Sequence, residues 1–525
     1  MKVVITEPRS PLAQAIIANL TRDGLSTVVR FEGEATDAEA CATAVAGADL
    51  LIDLRPLVAV DHAPDAGLAH DPASWDAAGQ HMERLCRGTY VLMRAAVTAG
   101  VTRVVLASTL RHLEDYDPAW SVAESWRPRP ALDDPAALGP FLAEEVARQL
   151  ALVEPITVAC VRLATVRADA NPLAWDEVHV DDAAAACIAA ATATLGAAEP
   201  YARPHLATGW WLFHAPGGGP HARFPIAAAR AIGYAPRHDC HPRPAHHVHA
   251  ARSVRHVAPR VIRRVTVFGA GGPLASAAAP HLQSAYRTRL TDARSLAEIR
   301  AAGAPQSPGA PLPTVPDAPH DATICDVTDP VQVWRALDGA DALLNLSVVR
   351  HEVVGAFRVN FEGAWYIARA AIALGIRRAI HTGPALTLHD RPSGYGHDVA
   401  VPDDAPARTG TWQYTVSKYL GQEVARIAAE DHGLETPCLV FCAFVNPDAL
   451  AHAEPSPGGP HPMSISWDDA GRALRHAVDV PAFPQPFDVI HVTADLPHGR
   501  YANAKAKRLL GWAPRDTLAH LYRRR

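Results

Sequence analysis

Short apolar runs alternate with longer alanine-rich stretches along most of this chain. The runs are rich in β-branched residues and leucine, with examples at 265–268, 342–346, 379–381 and 438–445. Continuous apolar runs of this length are typical of parallel strands that are buried on both faces. Their alternation with helical stretches predicts an α/β fold built on doubly wound parallel sheets. Six prolines within 303–319 predict a surface loop before the third strand of the second half.

The same blocks of sequence occur twice in the same order. The matching pairs are 3–13 with 265–275, 47–54 with 339–346, 94–103 with 369–378, 145–148 with 423–426, 180–183 with 467–470, and 232–237 with 510–515. This collinearity predicts a tandem duplication, with one copy at 1–240 and the other at 264–525. Residues 241–263 are typical of a linker rich in His, Arg and Pro. Its histidines show no metal-ligand spacing, so we predict no metal site there. They are His241, His246, His247 and His249.

Composition and charge narrow the function classes. The 525 residues carry a net charge of −6 without long acidic or basic blocks, which argues against nucleic acid and membrane surfaces as partners. No apolar run approaches the roughly 18 residues of a membrane span. Met1 and Lys2 lead into an apolar strand rather than a signal peptide. The eight cysteines are scattered without a Cys-x-x-Cys, so we expect free thiols and a cytoplasmic protein.

A tyrosine and a lysine stand four residues apart in a chain that has only four lysines. Tyr414 and Lys418 are this pair, and at this spacing on a helix the two side chains share a face. An ammonium beside a phenol stabilises the phenolate and lowers the pKa of the phenol from about 10. The pair therefore predicts a general acid or base that works near neutral pH.

In the second copy, the strand at 265–268 runs into a glycine-rich loop and then into a helical stretch. Glycines permit a tight turn and a close approach of the backbone to a pyrophosphate, and the helix N-terminus then faces the anion. The loop and the start of the helix comprise Gly269, Gly271, Gly272, Pro273, Leu274 and Ala275. The order of strand, loop and helix predicts a dinucleotide site.

Polar residues after the next strands bear on the choice of dinucleotide. Asp292 ends the strand that follows the glycine loop, which suits a carboxylate on the adenosine ribose and favours NAD over NADP. The alternative is that Asp292 is an ordinary turn residue without a role in cofactor binding. Nearby arginines at 287, 289 and 294 offer a site for the 2′-phosphate of NADP instead. Asp326, after the following strand, is within reach of the adenine edge in the same interpretation.

The first copy lacks the residues that this chemistry needs. Glu7 and Ser10 stand where the second copy has its first and last loop glycines, and a carboxylate at that point repels a pyrophosphate. Ala136 and Pro140 stand in the places of the tyrosine and the lysine. We therefore expect the first copy to bind no dinucleotide and to catalyse no reaction.

Together these motifs resemble the extended short-chain dehydrogenase/reductase family, also called the NAD-dependent epimerase/dehydratase family. The motifs that carry the resemblance are the loop 269–275, Asp326-Val327-Thr328-Asp329, Asn345-Leu346-Ser347, the segment 359–363 around Asn360, the Tyr414/Lys418 pair, and 467–470. The resemblance implies two tandem Rossmann-like sheets, each with a small C-terminal substrate-binding subdomain. It implies an NAD(P)-dependent oxidoreductase or epimerase acting on a hydroxyl or carbonyl of a small molecule, with its active site in the second copy alone.

The resemblance also implies roles for single residues. Tyr414 would exchange a proton with the substrate, and Lys418 would hold the nicotinamide ribose. Asp326 and Val327 would contact the cofactor, and Asn360 would support the backbone of the active site. Residues 345–347, which are Asn345, Leu346 and Ser347, would line the cofactor cleft.

The chain departs from the family at the third catalytic residue, a serine or threonine at the end of the fifth strand. That position falls at Gly383 or Pro384, neither of which has a hydroxyl. Thr382 is our candidate for a substitute, with Thr387 as the alternative. Loss of this hydroxyl favours a second interpretation, in which the chain is a catalytically impaired sensor or scaffold that binds a dinucleotide.

Family members commonly pair through two helices of each subunit. The corresponding stretches are 357–375 and 414–431 in the second copy, and 82–100 and 136–151 in the first. This leads us to expect that the two copies form an intramolecular pseudo-dimer, in which the first copy covers apolar helix faces of the second. Further oligomerisation is left open.

Overall fold

Two compact units make up the part of the chain that the computed structural model describes. The described residues are 1–22, 24, 26–57, 71–117, 119–169, 173–195, 209–219, 223–241, 261–303, 309–384, 400–450, 456–457 and 461–523. The first unit is Met1–Pro64 with Gln80–Arg252, and the second is Asp65–Gly79 with Ser253–Arg525. Most of the predicted linker, 242–260, lies outside the described residues.

The first unit is built on a six-stranded parallel sheet with the order β2-β1-β3-β4-β5-β8. Its strands, with a small parallel pair β6–β7, are β1 (Lys2–Thr6), β2 (Thr27–Phe31), β3 (Leu50–Asp53), β4 (Arg103–Thr109), β5 (Thr157–Leu163), β6 (Thr165–Arg167), β7 (Glu177–His179) and β8 (Trp210–Ala215). The helices numbered with it are α1 (Pro11–Thr21), α2 (Ala38–Val45), α3 (Asp76–Thr98), α4 (Pro135–Ala151), α5 (Val180–Thr192) and α6 (Ala227–Ala231). Short 3₁₀ turns occur at Arg55–Leu57, Pro72–Trp75 and Leu110–Leu113.

The second unit has a seven-stranded parallel sheet with the order β11-β10-β9-β12-β13-β14-β18. Its strands are β9 (Arg264–Phe268), β10 (Arg287–Asp292), β11 (Asp321–Ile324), β12 (Ala342–Asn345), β13 (Arg378–Pro384), β14 (Thr436–Phe441), β15 (Ala443–Val445), β16 (Ser456–Pro457), β17 (Ser464–Ser466), β18 (Phe487–His491) and β19 (Tyr522–Arg523). Its helices are α7 (Pro273–Gln283), α8 (Leu296–Ala302), α9 (Pro330–Leu337), α10 (Val353–Phe357), α11 (Gly363–Ala373), α12 (Gln413–His432), α13 (Pro447–Leu450), α14 (Trp467–Asp479) and α15 (Ala504–Leu510). A π-helical turn, Arg358–Glu362, joins α10 to α11, and a 3₁₀ turn lies at Ala519–Leu521.

Both sheets have the doubly wound parallel architecture that the sequence predicts. Strand order reverses beside the first strand of each unit, which is flanked by β2 and β3 in one sheet and by β10 and β12 in the other. In such sheets, ligands bind outside the carboxyl ends of the strands at this reversal. The first sheet has no described counterpart of β11, so its edge strand is β2.

Each unit has its own apolar core on one face of its sheet. In the second unit this core lies under α7 and α14, with Ala275, Ala278 and Leu474 buried. Gly471 lets these two helices approach closely, because a Cβ there would lie 2.5 Å from the carbonyl oxygen of Ala277. In the first unit the equivalent core lies under α1 and α5.

One detail of the sequence-based fold is corrected. The apolar run 438–445 is not one strand, because the chain leaves the main sheet at Cys442 and β15 pairs with β17 instead. Residues 71–79 cluster with the second unit. Within that unit the buried Trp75 lies edge-on to Trp334, with ring centroids 5.9 Å apart, and the Arg369 guanidinium lies 4.8 Å from the Trp75 centroid.

Two further expectations concern cysteines and membranes. All eight cysteines are free thiols. Among the described helices, none combines the length and the apolar character needed to cross a membrane. Residues 309–319 of the proline-rich stretch form no helix or strand, and 304–308 lie outside the described residues.

Candidate active site

The glycine loop of the second unit connects β9 to α7 at the reversal point of the sheet. Gly269 has φ of +74°, and a Cβ there would lie 2.7 Å from the backbone nitrogen of Ser347. Only glycine satisfies both the left-handed conformation and this close approach. Gly272 is the N-cap of α7 and makes no side-chain cap, and Pro273 follows as the first helical residue. The amide groups of the first turn are therefore free to receive an anionic ligand.

A cleft of about 810 Å³ opens at this loop and brings most of the predicted site together. The predicted residues that line it are Gly269, Gly271, Gly272, Pro273, Leu274, Leu346, Thr382, Tyr414 and Lys418. Six others lie outside the lining: Asp292, Asp326, Val327, Asn345, Ser347 and Asn360. The glycine loop and the tyrosine–lysine helix thus share one cavity, although they are far apart in sequence.

Three of the residues outside the lining hold the backbone around the cleft in place through hydrogen bonds. The Asn345 side chain accepts a hydrogen bond from the Ser347 amide at 3.2 Å. Asn360 bonds both backbone groups of Val349, at 3.0 and 2.8 Å, and donates to the Ser417 hydroxyl at 2.9 Å. Asn360 therefore fixes the segment after β12 against α12.

At the end of β10, a carboxylate lies beside the glycine loop, and one arginine after this strand lines the cleft. Asp292 accepts a hydrogen bond from the Gly271 amide at 2.9 Å, which places its carboxylate at the glycine loop. Of the three arginines offered for a 2′-phosphate, Arg289 pairs with Asp321 at 2.9 Å and Arg287 lies 3.9 Å from the same carboxylate. Arg294 lines the cleft.

Asp326 and Val327 make local contacts at the end of β11. The Asp326 carboxylate accepts hydrogen bonds from the amide and the hydroxyl of Thr328, both at 2.9 Å. Val327 is buried against Gly363, where a Cβ would lie 2.8 Å from a Val327 methyl group. Their predicted contacts with a cofactor stay predictions.

Lys418 is a buried cation. Its side chain lies on α12, and among the described residues its only hydrogen bond is to the Ser347 carbonyl oxygen at 3.5 Å. Burial lowers the pKa of Lys418 to about 8, because the charged ammonium is poorly solvated there. A lysine held in this state is typical of a functional site rather than of a stabilising one.

The expected effect of Lys418 on the phenol is not what the structure shows. The pKa of Tyr414 is raised, because the burial of the phenol outweighs the neighbouring positive charge. That charge belongs to Arg350, whose guanidinium lies 5.3 Å from the ring centroid of the tyrosine. Arg350 also lines the cleft, and sequence reasoning missed it. The available signal was an arginine three residues after Ser347, at the end of β12.

The hydroxyl missing from the end of β13 is only partly replaced. Thr382 lines the cleft, but its hydroxyl donates to the Asn345 carbonyl oxygen at 3.1 Å. Gly383 and Pro384 also line the cleft and contribute no donor. Thr387 lies outside the described residues. The arrangement therefore offers a phenol, a guanidinium and an ammonium around one cavity.

Comparison with known proteins gives relatives for part of the chain. No family model matches it. A uronate dehydrogenase of Pseudomonas syringae pv. tomato is 26% identical over 205 residues, which are 38% of this chain and 67% of the relative. An NAD-dependent glucose-6-phosphate dehydrogenase of Haloferax volcanii is 24% identical over 269 residues, or 49% of this chain and 94% of the relative. The chain is a homologue of extended short-chain dehydrogenases over about half of its length.

Solved structures also match part of the chain. The glucuronic acid dehydrogenase of Chromohalobacter salexigens is 23% identical and matches 49% of this chain and 86% of its own, with a TM-score of 0.39.

The first unit differs from the glycine loop of the second unit in two ways. Glu7 adopts φ of +51° at the position of Gly269, the only positive φ of a non-glycine residue in the described part of the chain. Ser10 caps α1 by accepting a hydrogen bond from the Ala13 amide, whereas Gly272 leaves its helix uncapped. In the first unit, the Ala13 amide at the start of α1 therefore already has a hydrogen-bond partner within the protein.

We expect Lys418→Met to stabilise the protein, because it removes the buried ammonium group. At neutral pH the buried ammonium destabilises the folded state by about 3 kcal/mol, from the depression of its pKa to about 8. Because the unfolded chain binds this proton more tightly, the free energy of unfolding of the wild type should rise with pH from about 8 to the ordinary lysine range.

Urea denaturation at several pH values measures both effects. Met has a similar length and no charge, so the variant should be more stable at pH 7 and lack this rise. Equal stability of the two proteins at pH 7 would contradict the assignment of a poorly compensated buried ammonium.

Proposed function

We propose that the second unit is an NAD-dependent oxidoreductase that oxidises a hydroxyl of a sugar-like substrate to a carbonyl. The observation that carries the proposal is the shared cleft, which Tyr414, Lys418 and the glycine loop all line. The names of the sugar dehydrogenases among the relatives support the substrate class. The first unit, by this proposal, is a degenerate copy that binds no dinucleotide.

The residues of the second unit fit a dinucleotide. Gly269 and Gly272 leave the loop without side chains, and the first turn of α7 presents uncapped amides. Asp292 at the loop suits ribose hydroxyls and disfavours a 2′-phosphate, which supports NAD over NADP. When bound, NAD supplies the hydride acceptor, and the protein supplies orientation and charge.

We assign proton transfer to Tyr414. For oxidation the phenol must be deprotonated, so that its oxygen takes the proton of the substrate hydroxyl. Arg350 opposes the effect of burial on the pKa of the phenol, and we propose that it also donates to the substrate oxygen in place of the missing serine or threonine. Lys418, on the same helix, would hold the nicotinamide ribose, as the resemblance implies.

Turnover itself is the test of the proposed function. The purified chain is incubated with NAD and with uronic acids, aldoses and glucose 6-phosphate in turn, and the absorbance of NADH is followed. Reduction of NAD with at least one of these classes is the expected result. Saturable NAD binding without NADH formation on any of them would contradict the proposal.

We expect Arg350→Ala to lower kcat/KM by about 10²-fold, the scale seen when one donor to a developing oxyanion is removed. Because the variant no longer opposes burial, the pKa of Tyr414 should rise, and the pH at which oxidation becomes fast should rise with it. Arg350→Lys should recover part of both effects.

Arg294→Ala is the matched control for Arg350, because it removes an arginine from the other end of the same cleft. It should change the affinity for NAD and leave the pH profile in place. An unchanged pH profile in Arg350→Ala would exclude the proposed role of Arg350.

A second candidate function is a dinucleotide-binding sensor with impaired turnover. The observation in its favour is the absence of a free hydroxyl at 382–384 among the residues that line the cleft. Gly383→Ser tests it, since a Cβ at this position would lie 3.3 Å from the Cys438 sulfur and needs only a small adjustment. Turnover that appears only in this variant would favour the sensor.

We also propose that the two copies arose by duplication and associate as a pseudo-dimer. The shared reversal of strand order beside β1 and β9 supports the duplication. The packing of α11 on α12 within the second unit supplies the helix pair that the superfamily uses. Residues 261–525 expressed alone should self-associate in light scattering. A stable monomer with full NAD affinity would contradict the pseudo-dimer.

A further inference from the structure

Two histidines and an aspartate meet on the first unit, away from the cleft of the second. His179 ends β7, Asp181 lies in the first turn of α5, and His238 follows α6. Each of the three brings one potential ligand atom within 4.8 Å of the other two. The two imidazole rings are stacked, with centroids 3.8 Å apart. We propose that these residues form a binding site for a divalent transition metal such as Zn²⁺.

The hydrogen bonds around His238 leave one of its ring nitrogens with a lone pair that can bind a metal. His238 Nδ1 lies 3.1 Å from a carboxylate oxygen of the buried Asp182, which also accepts the backbone amides of Arg237 and His238. A proton on Nδ1 satisfies this contact and leaves Nε2 for a metal. A carboxylate that orients a histidine in this way is the usual outer partner of a metal ligand.

In His179 the nitrogen that can bind a metal is Nδ1. This atom accepts the Asp181 amide at 3.2 Å, so it already carries a lone pair, and it lies 3.6 Å from the Asp181 carboxylate. A metal ion bound here would be coordinated by His179 Nδ1 and the Asp181 carboxylate. It would replace the hydrogen bond by which His179 caps α5. The Asp181 side chain is 67% exposed, so the third ligand can adjust without disturbing the core.

The donor set selects the class of metal. Two imidazoles and one carboxylate suit Zn²⁺ and its neighbours in the first transition row, whereas Mg²⁺ and Ca²⁺ prefer oxygen ligands. Three protein ligands leave at least one coordination position for water. The ion would join the start of α5 to the segment after α6, and it would raise the stability of the folded chain as any ligand of the native state does.

The second unit supplies a natural comparison. Its aligned residues are Ser466, which caps α14, and Asp516, whose amide is bound by Asp469 just as His238 is bound by Asp182. The backbone arrangement is therefore common to both units, and the imidazoles are particular to the first. Exchanging the two histidines for the serine and aspartate of the second unit should preserve the fold while removing the site.

Calorimetric titration of the chelator-treated full chain with ZnCl₂ tests the proposal. The wild type should bind one equivalent at this site. His179→Ser/His238→Asp should lose that equivalent, and Asp181→Asn should weaken it at least tenfold, with unchanged circular dichroism and NAD affinity in both. Co²⁺ should give an absorption spectrum without a thiolate band, which excludes Cys240 as a ligand.

His246→Ala/His247→Ala is the matched control, because these linker histidines are the competing source of imidazole. It should retain the equivalent of zinc. Unchanged zinc binding by the double variant of the site would overturn the proposal, as would loss of zinc in the linker variant alone. Because zinc binding is measured without turnover, the result is independent of the oxidoreductase proposal.

Discussion

Tyr414→Phe should reduce the rate of NAD reduction by about 10²–10⁴-fold, the range that one general acid or base contributes. The phenol ring lies edge-on to Trp412, with centroids 4.8 Å apart, and under the Arg350 guanidinium. Phenylalanine keeps these ring contacts and loses only the oxygen that takes the proton. The affinity for NAD, measured by titration, should therefore change little, and the lower rate should appear as a lower kcat.

Tyr419→Phe provides the control on the same helix. Tyr419 is also buried, but it does not line the cleft, so its phenol is not part of the proposed proton path. Its loss should leave kcat near the wild-type value. If Tyr414→Phe retained full turnover, proton transfer would have to be assigned to another group, and the proposal for the second unit would fail in its central step.

Short-range patterns account for what the sequence could predict of this site. The glycine loop and the tyrosine–lysine pair each consist of residues a few positions apart, so residue type and spacing were enough to identify them. The shared cleft follows from parallel sheet topology, because the carboxyl ends of neighbouring strands face the same edge. The predicted helix 414–431 corresponds to α12, which begins at Gln413. The predicted stretch 357–375 is instead divided by the π-helical turn Arg358–Glu362.

Burial accounts for what could not be predicted. The direction of the pKa shift of Tyr414 depends on how completely the phenol is removed from water, and no local pattern gives that quantity. Arg350 reaches the phenol from 64 residues earlier in the chain, through the end of β12 rather than along a helix. The association of Trp75 with Trp334 and Arg369 is equally a matter of tertiary contact, which collinear matching of two copies cannot detect.

Gly269→Glu should abolish NAD binding by the second unit, with a loss of affinity of at least 10²-fold. The substitution places the first unit's residue in the second unit's loop. A Cβ at this position would lie within 2.8 Å of the backbone of Leu346 and Ser347, and the carboxylate would stand at the proposed pyrophosphate site. Because steric strain and charge act together, Gly269→Ala separates them by keeping the strain without the charge.

Gly272→Ser tests the same anion site without backbone strain. Gly272 has φ of −76° and ψ of 153°, an extended conformation that serine adopts freely, and Ser10 is its counterpart in the first unit. The new hydroxyl should cap α7 and stabilise the fold by a few tenths of a kcal/mol. It should at the same time compete with the pyrophosphate for the first-turn amides and weaken NAD binding. Higher thermal stability with unchanged NAD affinity would show that these amides do not bind the cofactor, and the loop would then have to be assigned another role.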